Sequence, residues 1–545
     1  MEKVEELQMP INQRSNHVIF VIILVVVVLS MIPKMLMFTN NVVEPFTNSL
    51  VALSIETKAL GHVPLNPYSA SGYWQGHANF LSFRTGIVSF LTILSSVTGL
   101  SPYFVASLPL IGVLTVIVGY LLGRAFGSRF IGLAFALCFG FSWYTTLTAT
   151  NTGYQSYGAL LQMYIFFILV RSCIGGKNWS RTDILMVCVL FLAIYESYYS
   201  VEFTTLALFI AALFLYLVHR ILKFRVASLR MMLFLALFSS IIFFALDTVE
   251  YSYLNTQSIS LFMSSFSNYV SYVLSILYAE SQTAQQYRPY TSPFSKYIDL
   301  ASNVVMWGVI GLSLLLYLKM LVRSRKRQML TQKNVTVHII LFSFLFVFFA
   351  RLSIYGLLGK IAIGWIYISL LPIILGLIWI APKSKFRLRY VLPTILVVLT
   401  VFRFGIIWTD QTLSFIGANY PPKVEPGAIW IAANLRSSSV VSTNQVSAKI
   451  FSTVAEYGKA NSISVNQFGS DVKYLTDDYS QFQRILRSRG YEFMFLLKLF
   501  EKEPLFGGFW GPYIPPLGSR VENFSDHPGF SRVYDDGLAL IYKCG

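Results

Sequence analysis

Apolar runs of about twenty residues, parted by short polar turns, follow one another from residue 17 to residue 408. A helix of that length crosses about 30 Å of hydrocarbon. Eleven spans are predicted, at roughly 17–38, 103–123, 128–147, 157–174, 183–200, 201–219, 229–247, 299–319, 336–351, 361–380 and 388–408. The longest polar interruption before residue 248 is Thr39 to Arg84, and a shorter apolar run, Thr85 to Leu100, follows it. This interruption carries Glu44, Glu56, His62, His77 and the turn-rich segment GHVPLNPY, which ends at Tyr68. Long loops in compact proteins are disproportionately functional.

Beyond Trp408 the pattern changes. Residues 411–545 are more polar and are punctuated by Pro421-Pro422 and Pro515-Pro516. Val440-Val441 reads as a short strand, and Gln445 to Tyr457 and Asp478 to Arg489 as helices. Tyr491 to Leu497 reads as another strand, and Asp536-Gly537 between two β-rich runs in Phe530 to Tyr542 signals a hairpin. The predicted architecture is an α-helical polytopic membrane protein over residues 1–410, with outer loops 39–84 and 248–298. A small extracytoplasmic α/β domain over residues 411–545 completes it.

Composition agrees with a polytopic chain: 545 residues, 55% hydrophobic and 12% charged, at a mean hydropathy of +0.61. The 45 Phe and 32 Tyr suit aromatic belts at the two interfaces. A formal charge of +17 raises the question of nucleic acid, but the cations sit in short connections between apolar runs, which is a topology signal. With the N-terminus cytoplasmic and 85–100 lying along the outer surface, the inner connections collect Arg124, Arg129, Lys177, Arg181, Arg220, Lys223, Arg225 and Arg230. They also collect the cluster Lys319 to Lys333 and the cluster Lys383 to Arg389. The outer connections keep only Lys58, Arg84, Arg288, Lys296 and Lys360. Reading 85–100 as a full span sends the cationic turns after it outside, so an interfacial helix is predicted there. The first apolar run has no small-residue cleavage site after it and reads as a retained anchor. Cys138, Cys173, Cys188 and Cys544 show neither a disulfide framework nor zinc spacing.

In this topology several ionisable groups meet the outer ends of the spans. Glu44 lies just beyond the first helix, Glu196 and Glu202 flank Tyr195, Tyr198 and Tyr199, Asp247 and Glu250 close the seventh span, and Arg351 ends the ninth. An ionisable residue at membrane depth is a functional candidate because its burial is costly. Acids with an Arg at a lipid–water boundary suit an anionic, lipid-linked substrate. The guanidinium fork matches phosphate oxygens, and a carboxylate takes a hydroxyl proton or holds a divalent metal. Plainer roles stand beside these. Glu44 also reads as a solvated loop acid, Glu196 and Glu202 as hydrogen-bond partners of the tyrosines, and Arg351 as a snorkelling helix end. Asp247 and Glu250 read as loop-entry acids, Arg288 as a loop cation, and the two His as surface residues.

The succession of a first span, a large outer loop with an early acid, GHVPLNPY, an interfacial helix, the turn GRAFGSR and a small C-terminal domain resembles the GT-C class of integral membrane glycosyltransferases. That class includes protein mannosyltransferases, aminoarabinose transferases and oligosaccharyltransferases. The resemblance covers the whole chain in layout and is specific in sequence over about residues 40–175. The tail strand RVYDDGLALIYK is similar to uncharacterised prokaryotic members. The class implies an outer-loop catalytic acid, usually Asp, which falls here on Glu44 in VVEPFTNSL. It implies transfer with inversion from a polyprenyl-phosphate sugar to a glycan, lipid or protein acceptor in the cell envelope. By that resemblance Glu44 is the base or a metal ligand and Arg351 faces the donor phosphate. Glu196, Glu202, Tyr68 and Arg288 contact substrate, and a divalent Mg or Mn is held by Glu44 and Glu196. Glu replaces the usual Asp, no paired DxD or ExD stands in the loop, and the Trp-Trp-Asp triplet of the oligosaccharyltransferase branch is missing.

A transporter or polymer exporter is the competing reading. It requires paired Gly/Pro interruptions in two related halves; Pro109 and Pro372 interrupt spans, yet no repeat relates them. A catalytically inactive scaffold of the same layout is the third. Sidedness is testable first. Expressed in a host that N-glycosylates exported sequons, the chain is expected to carry a glycan at Asn523 and none at Asn178 or Asn334, read as a glycosidase-sensitive mobility shift. A glycan at Asn178 or Asn334 reverses the topology.

Overall fold

The computed structural model describes residues 13–38, 45–63, 85–125, 129–141, 154–174, 180–197, 229–254, 424–435, 439–442, 464–467, 479–502, 505–506, 513–514 and 517–545. Single helical positions between 205 and 217, helical positions in 390–401, and residues 308 and 315 are also described. The predicted spans 336–351 and 361–380 and the predicted helix Gln445 to Tyr457 lie outside the described residues, as does 299–319 apart from two positions.

The chain is largely helical. In order come α1 (Gln13–Phe38), α2 (Pro45–Leu60), α3 (Gly86–Thr98), α4 (Pro102–Ser107), α5 (Leu110–Ala125) and α6 (Arg129–Gly140). Then follow α7 (Tyr154–Ile174), α8 (Arg181–Tyr195) and α9 (Leu229–Leu254). Their outward faces are apolar: Phe20 in α1, Leu185 in α8 and Ile241 in α9 are each more than 60% exposed. Buried against neighbours are Ser30, Thr115 and Ser239 together with the glycines. That inversion is stable only where the surrounding solvent is itself apolar. Phe104–Ala125, which takes in most of α4 and all of α5, has 22 residues at a mean hydropathy of 2.3, enough by length and composition to cross a membrane.

Where the helices touch, small residues set the distance. Gly119 and Gly123, four apart on α5, face α6. A Cβ on Gly123 would stand 2.6 Å from the Ile131 carbonyl oxygen and 2.9 Å from the Gly132 Cα, and one on Gly119 would stand 2.6 Å from the Phe139 ring. This is the small-xxx-small contact by which helices in lipid bring their backbones together. α1 closes over the pair, with Val26, Val116, Ala136 and Phe141 forming one buried cluster.

Three features depart from the predicted elements. The span 103–123 is broken between α4 and α5, because Leu108 precedes Pro109 and takes an extended conformation (φ −69, ψ 140). The polar loop 39–84 contains α2, whose Leu50, Val51, Leu53, Ser54 and Thr57 are buried. Asp247 and Glu250 are not at a loop entry, since α9 continues through them to Leu254. By contrast α3 forms where the interfacial helix was predicted. Its 13 residues span about 20 Å at 1.5 Å per residue, short of the ~30 Å hydrocarbon core.

After α10 (Val424–Asn434) the chain builds a five-stranded sheet in the order β2-β1-β3-β7-β6. Its strands are β1 (Ser439–Ser442), β2 (Ser464–Gln467), β3 (Phe493–Leu497), β6 (Phe530–Asp535) and β7 (Ala539–Cys544), and β4 (Leu505–Phe506) pairs with β5 (Tyr513–Ile514) apart from it. β3 is central and every one of its residues is buried, hence the unbroken apolar run FMFLL. It pairs parallel to β1 and antiparallel to β7. Helix α11 (Tyr479–Ser488) contributes Phe482 and Leu486 to the same core, where the short helix α12 (Arg520–Asn523) adds Val521. The predicted hairpin is present: Gly537 has φ 85, and Asp536 Oδ1 accepts from the Leu538 and Ala539 amides at 2.9 and 2.7 Å.

Beside the hairpin, Asp535 accepts from Arg532 at 3.0 Å and from the Gly537 amide at 2.9 Å, and lies 3.3 Å from Lys498 Nζ. Burial pushes its carboxyl up, but the Gly537 amide and the two cations outweigh burial and hold it below the ordinary carboxylate value. A depressed folded value means that the group stabilises the fold above its unfolded value of about 3.9, and that this contribution is lost as pH falls through the lower folded value. Asp535→Asn is therefore expected to flatten the acid limb of thermal stability and to leave an offset at neutral pH, read by melting the protein across that range. In the helical part, Gly123→Ala forces a backbone shift and is expected to destabilise by about 1–3 kcal/mol, measured as a lowered melting temperature in detergent; an unchanged melt removes the close α5–α6 contact.

Candidate functional site

Helices α7 and α8 run antiparallel, and their two ends differ in chemistry. At one end Arg171 pairs with Asp183, Ser172 donates to Asp183 at 3.3 Å, and Ser180 Oγ caps α8 by accepting from the Asp183 amide at 3.0 Å. At the other end lie the start of α7 and the turn Tyr195–Glu196 that closes α8.

α3 begins at this second end. Thr85, its N-cap residue, makes no capping bond with its own side chain, and Glu196 does the work from 111 residues away. The Glu196 Oε2 accepts from the Thr85 amide at 3.1 Å and from the Thr85 hydroxyl at 2.9 Å, and the Glu196 backbone carbonyl accepts from the Gly86 amide at 2.9 Å. An anionic group at a helix start also meets the positive end of the helix dipole. Position 86 is glycine because a Cβ there would stand 3.1 Å from the Glu196 carbonyl oxygen. One turn on, Phe90 packs on Tyr157 of α7 with ring centroids 5.2 Å apart.

α3 is in turn joined to α2. Leu50, Val51 and Leu53 of α2 are buried, as are Ile87, Val88 and Leu91 of α3. Polar bonds lace the two helices: Thr92 donates to the Ser54 carbonyl at 3.3 Å, Ser54 approaches the Val88 carbonyl at 3.4 Å, and Lys58 Nζ donates to Ser95 at 3.1 Å. α2 opens at Pro45, the residue after Glu44. The Glu196 end of α8, the two helices of the first loop and the start of α7 thus form one packed unit.

Of the six residues given a site role in the sequence, Glu196 is the one whose side chain is described; Glu44, Tyr68, Glu202, Arg288 and Arg351 lie outside the described residues. Glu196 does hydrogen-bond, to Thr85, and Tyr195 beside it is buried. Thr85, Gly86 and Lys58 were not singled out. A Thr-Gly pair opening an apolar run is a helix-start signal that points to the first two. As for a divalent cation, no group of three His, Cys, Asp or Glu side chains meets among the described residues. Glu196 Oε2 is taken up by the two Thr85 donors.

No protein-family profile and no curated protein sequence matches this chain. Solved structures do. The oligosaccharyltransferase of Archaeoglobus fulgidus, crystallised with zinc and sulfate, superposes with a TM-score of 0.50 at 12% identity, over 95% of this chain and 73% of that one. The chain has the fold of the GT-C glycosyltransferases. ArnT from Cupriavidus metallidurans in the apo state aligns at a TM-score of 0.49 and 13% identity, over 97% of this chain and 98% of that one. The same ArnT bound to undecaprenyl phosphate aligns at 0.45 and 12%, with the same coverage. At 12% identity the likeness to the oligosaccharyltransferase is one of fold and leaves the chemistry to the site.

Proposed function

We propose that this protein is a membrane glycosyltransferase that moves a sugar, with inversion, from a polyprenyl-phosphate donor to an acceptor at the extracytoplasmic face. The observation that carries this reading is the GT-C fold over nearly the whole chain. The acid of the first loop adds to it. Glu44 directly precedes α2, and α2 is packed through α3 onto the Glu196 end of the bundle, the end assigned to the outside by the cationic turns.

In this mechanism Glu44 takes the proton of an acceptor hydroxyl. The freed oxygen attacks the donor's anomeric carbon from the face opposite the phosphate, the bond from that carbon to the phosphate oxygen breaks, and the polyprenyl phosphate leaves. Arg351 balances the charge that gathers on the departing phosphate. Tyr68, Arg288 and Glu202 supply contacts to donor and acceptor. Oligosaccharide transfer is not proposed, because the Trp-Trp-Asp triplet is missing. The protein is placed in the cell membrane as a multi-pass chain, cytoplasmic at its N-terminus, with residues 411–545 as an extracytoplasmic domain.

Membranes holding the protein, supplied with a polyprenyl-phosphate sugar, are expected to transfer it, and Glu44→Ala is expected to slow transfer by about a hundredfold or more. Full transfer by the variant takes Glu44 out of the mechanism.

A further inference from the structure

We infer that Glu196 is a positioning residue, a latch that fixes the point at which the first outer loop re-enters the helix bundle, and that it contacts neither substrate nor metal. This inference rests on the proposed function for what the latch serves, though the contact itself does not. Residues 39–84 carry Glu44 and Tyr68 and rejoin the bundle at Thr85. That point is held by three bonds to one residue: the Glu196 carboxylate on the Thr85 amide and hydroxyl, and the Glu196 carbonyl on the Gly86 amide. Two of the three need the side chain.

The surroundings make the junction specific. Gly86 admits the Glu196 backbone to a distance that a Cβ would crowd, at 3.1 Å from the carbonyl and 3.2 Å from the Glu196 Cβ. Glu196 is itself held in place by the last turn of α8, where its amide donates to the Leu192 carbonyl at 3.0 Å. The latch thus joins a rigid span to the first residue of α3. α3 passes the constraint on through Val88 and Thr92 to Ser54 of α2, the helix that begins immediately after Glu44.

What the latch requires is an acceptor oxygen, and its charge is secondary; a general base or a metal ligand requires the charge. The two roles separate at the amide. Glu196→Gln keeps an oxygen able to accept from Thr85, whereas Glu196→Ala keeps none.

Limited trypsinolysis of the full-length protein in detergent reads the latch without any substrate, since release of Thr85 and Gly86 from the helix start opens the Arg84–Thr85 bond to the protease. Cleavage there is expected to rise about tenfold in Glu196→Ala and to stay within about twofold of wild type in Glu196→Gln. Thr85→Ala, which removes the hydroxyl and keeps the amide, is expected to fall between them, and the double variant Thr85→Ala/Glu196→Ala is expected to match Glu196→Ala alone. In the transfer assay, the rate in Glu196→Ala falls and Glu196→Gln restores most of it. Wild-type cleavage rates in Glu196→Ala overturn the inference, as does a Glu196→Gln variant as slow in transfer as Glu196→Ala. If the wild-type protein transfers no sugar, the proposed function fails and the trypsin result still decides the latch.

Discussion

A helix closes its own backbone hydrogen bonds except at its ends, and the amides of its first turn have nowhere to go but to a side chain, to water or to another element. In a bilayer, where water is scarce, that constraint governs how the segments are joined. This chain meets it in three ways. Ser101 caps α4 by accepting from the Phe104 amide, Ser180 caps α8 in the same manner, and α3, whose own Thr85 makes no side-chain cap, borrows the carboxylate of Glu196. The first two are local. The third ties the first loop to the end of a distant span, and the arrangement of the candidate site follows from it.

The second constraint is the absence of a hydrophobic drive between helices whose outer faces already sit in an apolar solvent. Packing has to come from close backbone approach. Gly119, Gly123 and Gly132 let α5 and α6 meet with carbonyl and Cα atoms nearly in contact, and Gly140 lets α1 settle against the pair. Large apolar side chains are left on the outside of α1, α8 and α9. Residues 424–545 follow the opposite rule. There the apolar side chains turn inward on a sheet whose central strand is wholly buried, and the charged groups Lys498, Glu522, Arg532 and Asp535 pair at its margin.

Hydropathy alone located α1, α7 and α9, since these follow from run length, whereas α3 was set apart from the spans by the cations in the turns that follow it. The Asp536-Gly537 hairpin and the strand at 493–497 were equally legible, because turn chemistry and an unbroken apolar run act within a few residues. The joint at Leu108–Pro109 was written in the sequence too, but the long apolar run around it reads as one span unless the restriction on the residue before proline is given precedence. α2 was concealed: PFTNSLVALSIETKAL is polar enough to pass for loop, and its buried face makes sense only against α3.

The sequence by itself determined that the chain has the composition of a membrane protein, roughly where several helices run, and that a carboxylate follows the first of them, because those properties depend on composition and local spacing. Tertiary structure decided which partner each polar group found. Tyr195, Tyr198 and Tyr199 stand beside Glu196 in the chain, and its carboxylate reaches Thr85, 111 residues earlier. A helix start brought close by packing takes up a carboxylate from far along the chain, and adjacency in the chain is all that a sequence displays.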